Sequence, residues 1–154
     1  MSSELGLTVA AVETITEAVD QSDLVVTSTP SRTPFLMLEN LHPGIHITAM
    51  GSDGPGKQEL DPRILERADR LGCDSKQQCL RLGELQHGLK HGTITEQSTI
   101  VELGEVISGQ KPGRQHEDEI TVCDLTGVGV QDTAIALLAY NRARQTALGT
   151  VFVP

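Results

Sequence analysis

The run Ile45-His-Ile-Thr-Ala49 alternates apolar and polar residues, then stops at Gly51, Gly54, Pro55 and Gly56. Such alternation reads as a short strand, and a cluster of Gly and Pro reads as the loop that ends it. Inside that loop stand one carboxylate, Asp53, and one amine, Lys57. A strand that delivers an acid and a base on a glycine-rich loop is how α/β enzymes build a site at the carboxyl edge of a sheet. Asp and Lys between Gly and Pro also serve as ordinary turn residues. Spacing alone leaves both readings open.

The rest of the chain supplies the context of that loop. Asp23 to Thr29 is an apolar, β-branched run ending at Pro30, the pattern of a strand buried on both faces. Thr8–Val12 reads as the end of a strand, Glu13–Asp20 as a short helix and 45–50 as the strand before the loop. Asp61 to Arg70 reads as a helix with Asp61 as N-cap and Pro62 at its first position. Leu71–Asp74 reads as a weak strand, and Gln77–Leu89 and Thr99–Ile107 as helices. Glu119–Leu125 reads as a strand. Val130–Ala147 is the longest predicted helix, and Gly149–Pro154 an apolar tail. Strands alternating with helices predict a parallel α/β sheet. No repeat, low-complexity segment or Pro/Gly/Ser linker interrupts the chain, so it reads as one unit.

A chain of 154 residues is one ordinary domain by length and can bury about two-thirds of its unfolded surface. Aromatic residues make up only 2%, so the core must be built from Leu, Ile, Val and Ala. The net charge of −9 argues against a nucleic-acid binder, which needs a basic face, and against an anionic membrane surface. No stretch reaches the apolar length of a membrane span, and Met1 to Leu7 lacks the pattern of a secretory leader. The sequence therefore reads as soluble and cytoplasmic. Cys73, Cys79 and Cys123, an odd count without a CxxC pair, suit reduced structural thiols, with Cys123 in the core.

A dinucleotide-binding fold opens with a strand, G-x-G-x-x-G, and a helix whose N-terminus holds the pyrophosphate. No such opening is present. The nearest match, Gly127-Val-Gly-Val-Gln-Asp132, has an Asp in the third glycine position, where a carboxylate would repel phosphate. His87 and His91 stand four apart, a spacing that can bind zinc. No Glu follows His87, and Gly88 weakens the helix, so the pair reads as a solvated face and no metal is expected. Glu117-Asp-Glu119 reads as a solvated acidic turn. No G-x-S-x-G hydrolase elbow occurs.

Four stretches, in order, resemble the ornithine cyclodeaminase/mu-crystallin family. Ala49-Met-Gly-Ser-Asp-Gly-Pro-Gly-Lys-Gln-Glu-Leu-Asp-Pro62 is similar to its signature loop, and Asp23-Leu-Val-Val-Thr-Ser-Thr-Pro30 to the strand before it. Glu102-Leu-Gly-Glu-Val-Ile-Ser-Gly109, followed by Lys111-Pro-Gly-Arg114, resembles its surface helix and turn. Cys123-Asp-Leu-Thr-Gly-Val-Gly-Val-Gln-Asp132 resembles its last core strand and the start of its long helix. The resemblance implies a partial Rossmann-like parallel sheet flanked by helices, with a long C-terminal helix. Residues 1–154 then form an incomplete NAD(P)-binding domain. Aligned on these motifs, the chain begins after the family's glycine fingerprint and its N-terminal substrate domain. It therefore looks like a truncated product, a fragment or one half of a split protein.

The resemblance also implies roles. Asp53 corresponds to the catalytic proton donor and acceptor. Lys57 would reach the ribose or phosphate of NAD or NADP as a point charge, and the backbone of Met50, Gly51 and Ser52 would line the nicotinamide side. Thr27 falls where the family contacts the cofactor, though a β-branched residue is also ordinary in a strand. Leu125 stands where the family commonly has a Ser, so only its backbone could serve. Thr126 would face the substrate. The chemistry implied is hydride transfer at the α-carbon of an amino or imino acid: cyclodeamination, amino-acid dehydrogenation or imine reduction. The chain alone is expected to be inactive. The alternative is a non-catalytic remnant, or one half of an enzyme acting through a complementary chain. A half-sheet exposes edges and apolar faces, so a homo-oligomer or such a partner is expected.

Overall fold

The computed structural model describes residues 6–146 and 148–150. Its centre is one five-stranded, all-parallel sheet with the order β1-β2-β5-β3-β4. The strands are β1 (Leu24–Thr27), β2 (His46–Ala49), β3 (Arg70–Cys73), β4 (Ile100–Glu102) and β5 (Thr121–Asp124). The helices are α1 (Ile15–Asp20), α2 (Arg63–Arg67), α3 (Lys76–Leu82), α4 (Glu84–His91), α5 (Leu103–Ile107) and α6 (Gly129–Gln145). A 3-10 turn covers Leu38–Asn40.

The pleat sorts the side chains into two faces. Ile47, Ala49, Leu71, Cys73 and Val122 join Ile64, Leu65, Cys79 and Leu85 from α2, α3 and α4 in one buried cluster. The core is aliphatic, as the scarcity of aromatics requires. The register places Val26, Thr48, Cys123, Gly72 and Val101 in one row on the opposite face. That face is only partly covered. At one end a cavity of about 200 Å³ lies between it and Leu103, Val106 and Pro112. At the other end Leu24 and Val26 are 59% and 53% exposed. Burying an aliphatic side chain contributes about 1.5–3 kcal/mol, and these two forgo most of that. Ile47→Val is therefore expected to cost about 1 kcal/mol, while Val26→Thr changes stability by less than about 0.5 kcal/mol. Urea unfolding of the two variants tests this.

Several expectations are corrected. The Asp23–Thr29 strand is shorter, and it is an edge strand open on one face, because nothing pairs with or covers β1 on that side among the described residues. Thr8–Val12 is exposed and forms no strand. The Asp61–Arg70 helix stops at Arg67. Asp69 exchanges hydrogen bonds with Ile120, donating to its carbonyl and accepting its N–H (both 2.8 Å), which pulls Arg70 into β3. The helix starts one residue later than expected, with Pro62 rather than Asp61 at the N-cap position; Asp61 precedes it and accepts from the Arg63 N–H at 3.0 Å. The Gln77–Leu89 helix is two helices broken at an extended Gly83. Thr99–Ile107 contains an edge strand, β4, before α5: Ile100 and Val101 pair with Leu71 and Gly72. The long helix forms as Gly129–Gln145 with no buried residue; Ala147, its predicted end, and residues 151–154 of the predicted tail lie outside the described residues. The predicted leader-free N-terminus, residues 1–5, lies outside them too.

Candidate active site

The carboxyl ends of the parallel strands converge on one edge, and the two loops after β1 and β2 form its open side. The ladder runs one residue past each strand. The Met50 N–H donates to the Thr27 carbonyl at 2.9 Å, and the Leu125 N–H to the Ala49 carbonyl at 2.8 Å. The chain then turns away at Gly51. The Ser52 hydroxyl donates to the Lys57 carbonyl at 2.7 Å and closes the loop. On its outer side Lys57 Nζ meets Asp53 Oδ1 at 2.5 Å, with the two side chains 33% and 51% exposed. The Lys57 hydrogen bond holds the Asp53 carboxyl below the usual carboxylate range. Asp53 is therefore a solvent-facing carboxylate with a cation beside it.

Beneath this loop lies a group of buried carboxyls. Glu59 accepts from the Thr27 hydroxyl and the Thr29 N–H, both at 2.6 Å, and from the Gly51 N–H at 2.9 Å. Glu84 accepts from the Glu59 N–H at 2.7 Å. Asp124, at the end of β5, accepts from the Leu85 N–H at 2.9 Å. Glu84 Oε2 and Asp124 Oδ1 are buried and have no hydrogen-bonding protein partner among the described residues. Burial, with repulsion from Asp124, pushes Glu84 up to about 8. Burial, with repulsion from Asp74, pushes Asp124 up to about 7. Both are acids that keep a proton where an exposed carboxyl has lost it. Gly83 makes their packing feasible, since a Cβ there would lie 2.2 Å from Asp124 Oδ2.

Asp74 performs a similar task on the far side. Its carboxylate accepts from the N–H groups of Ser75 (2.7 Å), Thr126 (3.0 Å) and Gly127 (2.7 Å). This tethers the loop after β5 to the end of β3.

The structure thus brings together Thr27, Met50, Gly51, Ser52, Asp53 and Lys57, with Leu125 on the adjoining strand end. Thr27 is buried, and its hydroxyl is turned inward onto Glu59. Met50 is 47% exposed at the open edge. The Thr126 hydroxyl faces Asp74 and the Gln78 amide. Glu59, Glu84, Asp124 and Asp74 escaped the sequence reading. For Asp124 the signal was a lone carboxylate ending an apolar strand; for Glu59 it was a charge directly before the apolar Leu60. His87 is buried and donates from Nε2 to the Lys57 carbonyl at 2.7 Å, and burial lowers its pKa, so it braces the loop as a neutral ring. Among the described residues no group of three or more His, Cys, Asp or Glu could hold a metal ion. The three cysteines are buried and free.

A parallel sheet with an open crevice at its carboxyl edge, flanked by helices, is the Rossmann-like class of α/β fold. Residues 1–147 match the ornithine cyclodeaminase/mu-crystallin family, and the chain belongs to that family. A protein of Rhizobium meliloti (strain 1021), named as a dehydrogenase, is 47% identical over 152 residues; these cover 99% of this chain and 46% of that one. The crystal structure of the iminosuccinate reductase of Paracoccus denitrificans in complex with NAD+ superposes with a TM-score of 0.89 at 40% identity, covering 99% of this chain and 46% of that one. The Delta(1)-pyrroline-2-carboxylate reductase of Thermococcus litoralis, in complex with NADH and L-proline, gives a TM-score of 0.92 at 32% identity, covering 98% and 47%. The chain spans a little under half the length of these relatives.

Proposed function

We propose that this chain supplies the carboxyl-side half of an NAD(P) site at which hydride is transferred at the α-carbon of an amino or imino acid. The observation that carries this is the Asp53–Lys57 loop, mounted at the end of β2 beside the open edge of β1. The residues fit one end of a dinucleotide. The strand-end backbone at Met50–Ser52 fits the nicotinamide side, and Lys57 the ribose or phosphate. The Gly127 turn before α6 does not complete a pyrophosphate loop: Asp132 stands in the first turn of α6, where the third glycine would be and where a carboxylate repels phosphate. That part of the site is expected from other residues, in the same polypeptide or in a second chain. Relatives of this chain include an alanine dehydrogenase, an iminosuccinate reductase and a Delta(1)-pyrroline-2-carboxylate reductase, which supports this chemistry.

When bound, the cofactor supplies or accepts the hydride. The chain's own contribution is the proton. Asp53, ionised beside Lys57, accepts one from a substrate amine as the α-carbon is oxidised, or returns one as an imine is reduced. In a cyclodeaminase the same carboxylate would guide water or ammonia at the imine. Three buried, unpaired thiols suit a reducing compartment, and we place the protein in the cytoplasm.

A second reading is favoured by Leu24 and Val26, which are exposed on β1, and by α6, which buries none of its residues. Such faces suit a partner: a complementary chain or a second copy of this one. The 154-residue chain alone is expected to show no turnover of ornithine, alanine or cyclic imines when ammonia release and NADH change are followed together. Grafting residues 1–154 onto the N-terminal part of a related enzyme is expected to restore one of these activities. A folded graft that turns over none of them would contradict the catalytic reading.

A further inference from the structure

We propose that Glu59 is the positioning residue that fixes the two loops of the crevice against each other. This role rests on the reading of the crevice given above. Glu59 is fully buried, so it touches neither substrate nor cofactor. One carboxylate gathers donors from the ends of two neighbouring strands: Thr27 at the end of β1 and Thr29 in the loop that follows it, and Gly51 in the loop after β2. Its own backbone is held from both sides. The Phe35 and Leu36 N–H groups donate to its carbonyl at 2.9 and 3.1 Å, and its N–H donates to Glu84. The side chain is therefore aimed by the surrounding fold rather than by the loops it holds.

Two further observations make the contact specific. A Cβ on Gly51 would lie 2.3 Å from Glu59 Oε1 and 2.4 Å from the Thr29 carbonyl. The loops approach so closely that only glycine fits between them. Among the described residues the hydrogen-bond donors to Glu59 are two backbone N–H groups and a hydroxyl, with no cation among them. Burying a carboxylate on such donors is costly, and replacing buried charges by apolar residues is often neutral or stabilising. Orientation of the strand-end loops accounts for the arrangement where stability alone does not. Moving Gly51 displaces Met50, Ser52 and Asp53 with it, so Glu59 acts on the chemistry through them.

The test is Glu59→Gln, which keeps the size of the side chain. Its amide NH2 must replace one of the two oxygens, so one of the two loops loses its backbone acceptor in either rotamer. In the 154-residue chain, amide hydrogen exchange at whichever of Gly51 and Thr29 loses its acceptor is expected to accelerate roughly 10- to 100-fold. Exchange at Ile64 and Val122 should change much less. A uniform acceleration across all four sites would overturn the proposal. Should the variant not fold, native-state exchange in the unaltered chain decides: protected Gly51 and Thr29 amides support the proposal, and unprotected ones refute it. In the active graft, Glu59→Gln is expected to raise KM for NADH about tenfold or more with a smaller change in kcat. An unchanged KM there would also overturn it. An inactive unaltered graft counts against the functional reading alone, and the exchange result then decides on Glu59.

Discussion

Asp53→Asn is expected to lower kcat by about 10²- to 10⁴-fold in an enzyme completed around residues 1–154, the usual loss for a positioned acid or base. The substitution keeps size and removes the titrating oxygen. Lys57→Ala should behave differently. In the proposed site Lys57 serves cofactor binding and the ionisation of Asp53, so its loss should chiefly raise KM for the cofactor. It should also move the acid limb of the rate profile toward higher pH, because the Lys57 hydrogen bond is what holds Asp53 low. The two effects are separable by measuring kcat and KM across pH. If Asp53→Asn left kcat within a few-fold of the parent, Asp53 would return to the turn residue that Gly54 and Pro55 suggest.

Stability is expected to fall as pH rises through the neutral range, against the common trend of paired surface carboxylates. Glu84 has an ordinary value of 4.5 and is raised to about 8 by burial. Below pH 4.5 it is protonated in both folded and unfolded states, and its contribution is fully present. Between pH 4.5 and about 8 the unfolded chain releases this proton while the folded chain keeps it. Each pH unit in that window then disfavours folding by about 1.4 kcal/mol, so the loss accumulates as pH rises. Asp124, raised from 3.8 to about 7, adds in the same direction. The groups facing this pair are Glu59 and Asp124 toward Glu84, and Asp74 and Cys79 toward Asp124; no cation lies among these groups. Glu119 works with the opposite sign at the acid end. The Gln115 N–H and then Arg70 hold it low, so it contributes above the carboxylate range and is lost as pH falls through it. Glu84→Gln mimics the protonated acid. Urea midpoints at pH 5, 6, 7 and 8 should therefore fall less steeply for Glu84→Gln than for the unaltered chain. Parallel curves would refute a proton held at Glu84.

The parts of the fold carried by local pattern were legible in the sequence. Ile45, Ile47 and Ala49 alternate, and β2 with its glycine loop lies where that alternation placed it. Asp61 and Pro62 announced the start of α2. What misled was tertiary. Ile100 and Val101 form a strand only because β3 offers an edge to pair with. Gly83 interrupts a helical pattern because the Asp124 carboxyl needs its space. The outer wall of the site, Asp53 and Lys57, was visible because turn chemistry is local. Its support, Glu59, Glu84, Asp74 and Asp124, was not: apart from Ser75 and Cys79 near Asp74, their partners are 8 to 53 residues away. Nothing in the spacing of carboxylates shows which ones a fold will bury.

The proposed role of these residues is to form the nicotinamide side of a dinucleotide site, with other residues supplying the pyrophosphate contacts. Following the fluorescence of NADH during titration tests it most directly, first with the 154-residue chain and then with the same residues grafted onto a relative's N-terminal part. Phosphate contacts at a helix N-terminus anchor such cofactors, so weak or no binding is expected from the chain alone and clear saturation from the graft. A low-micromolar dissociation constant for the chain alone, or no binding by a folded graft, would contradict the claim.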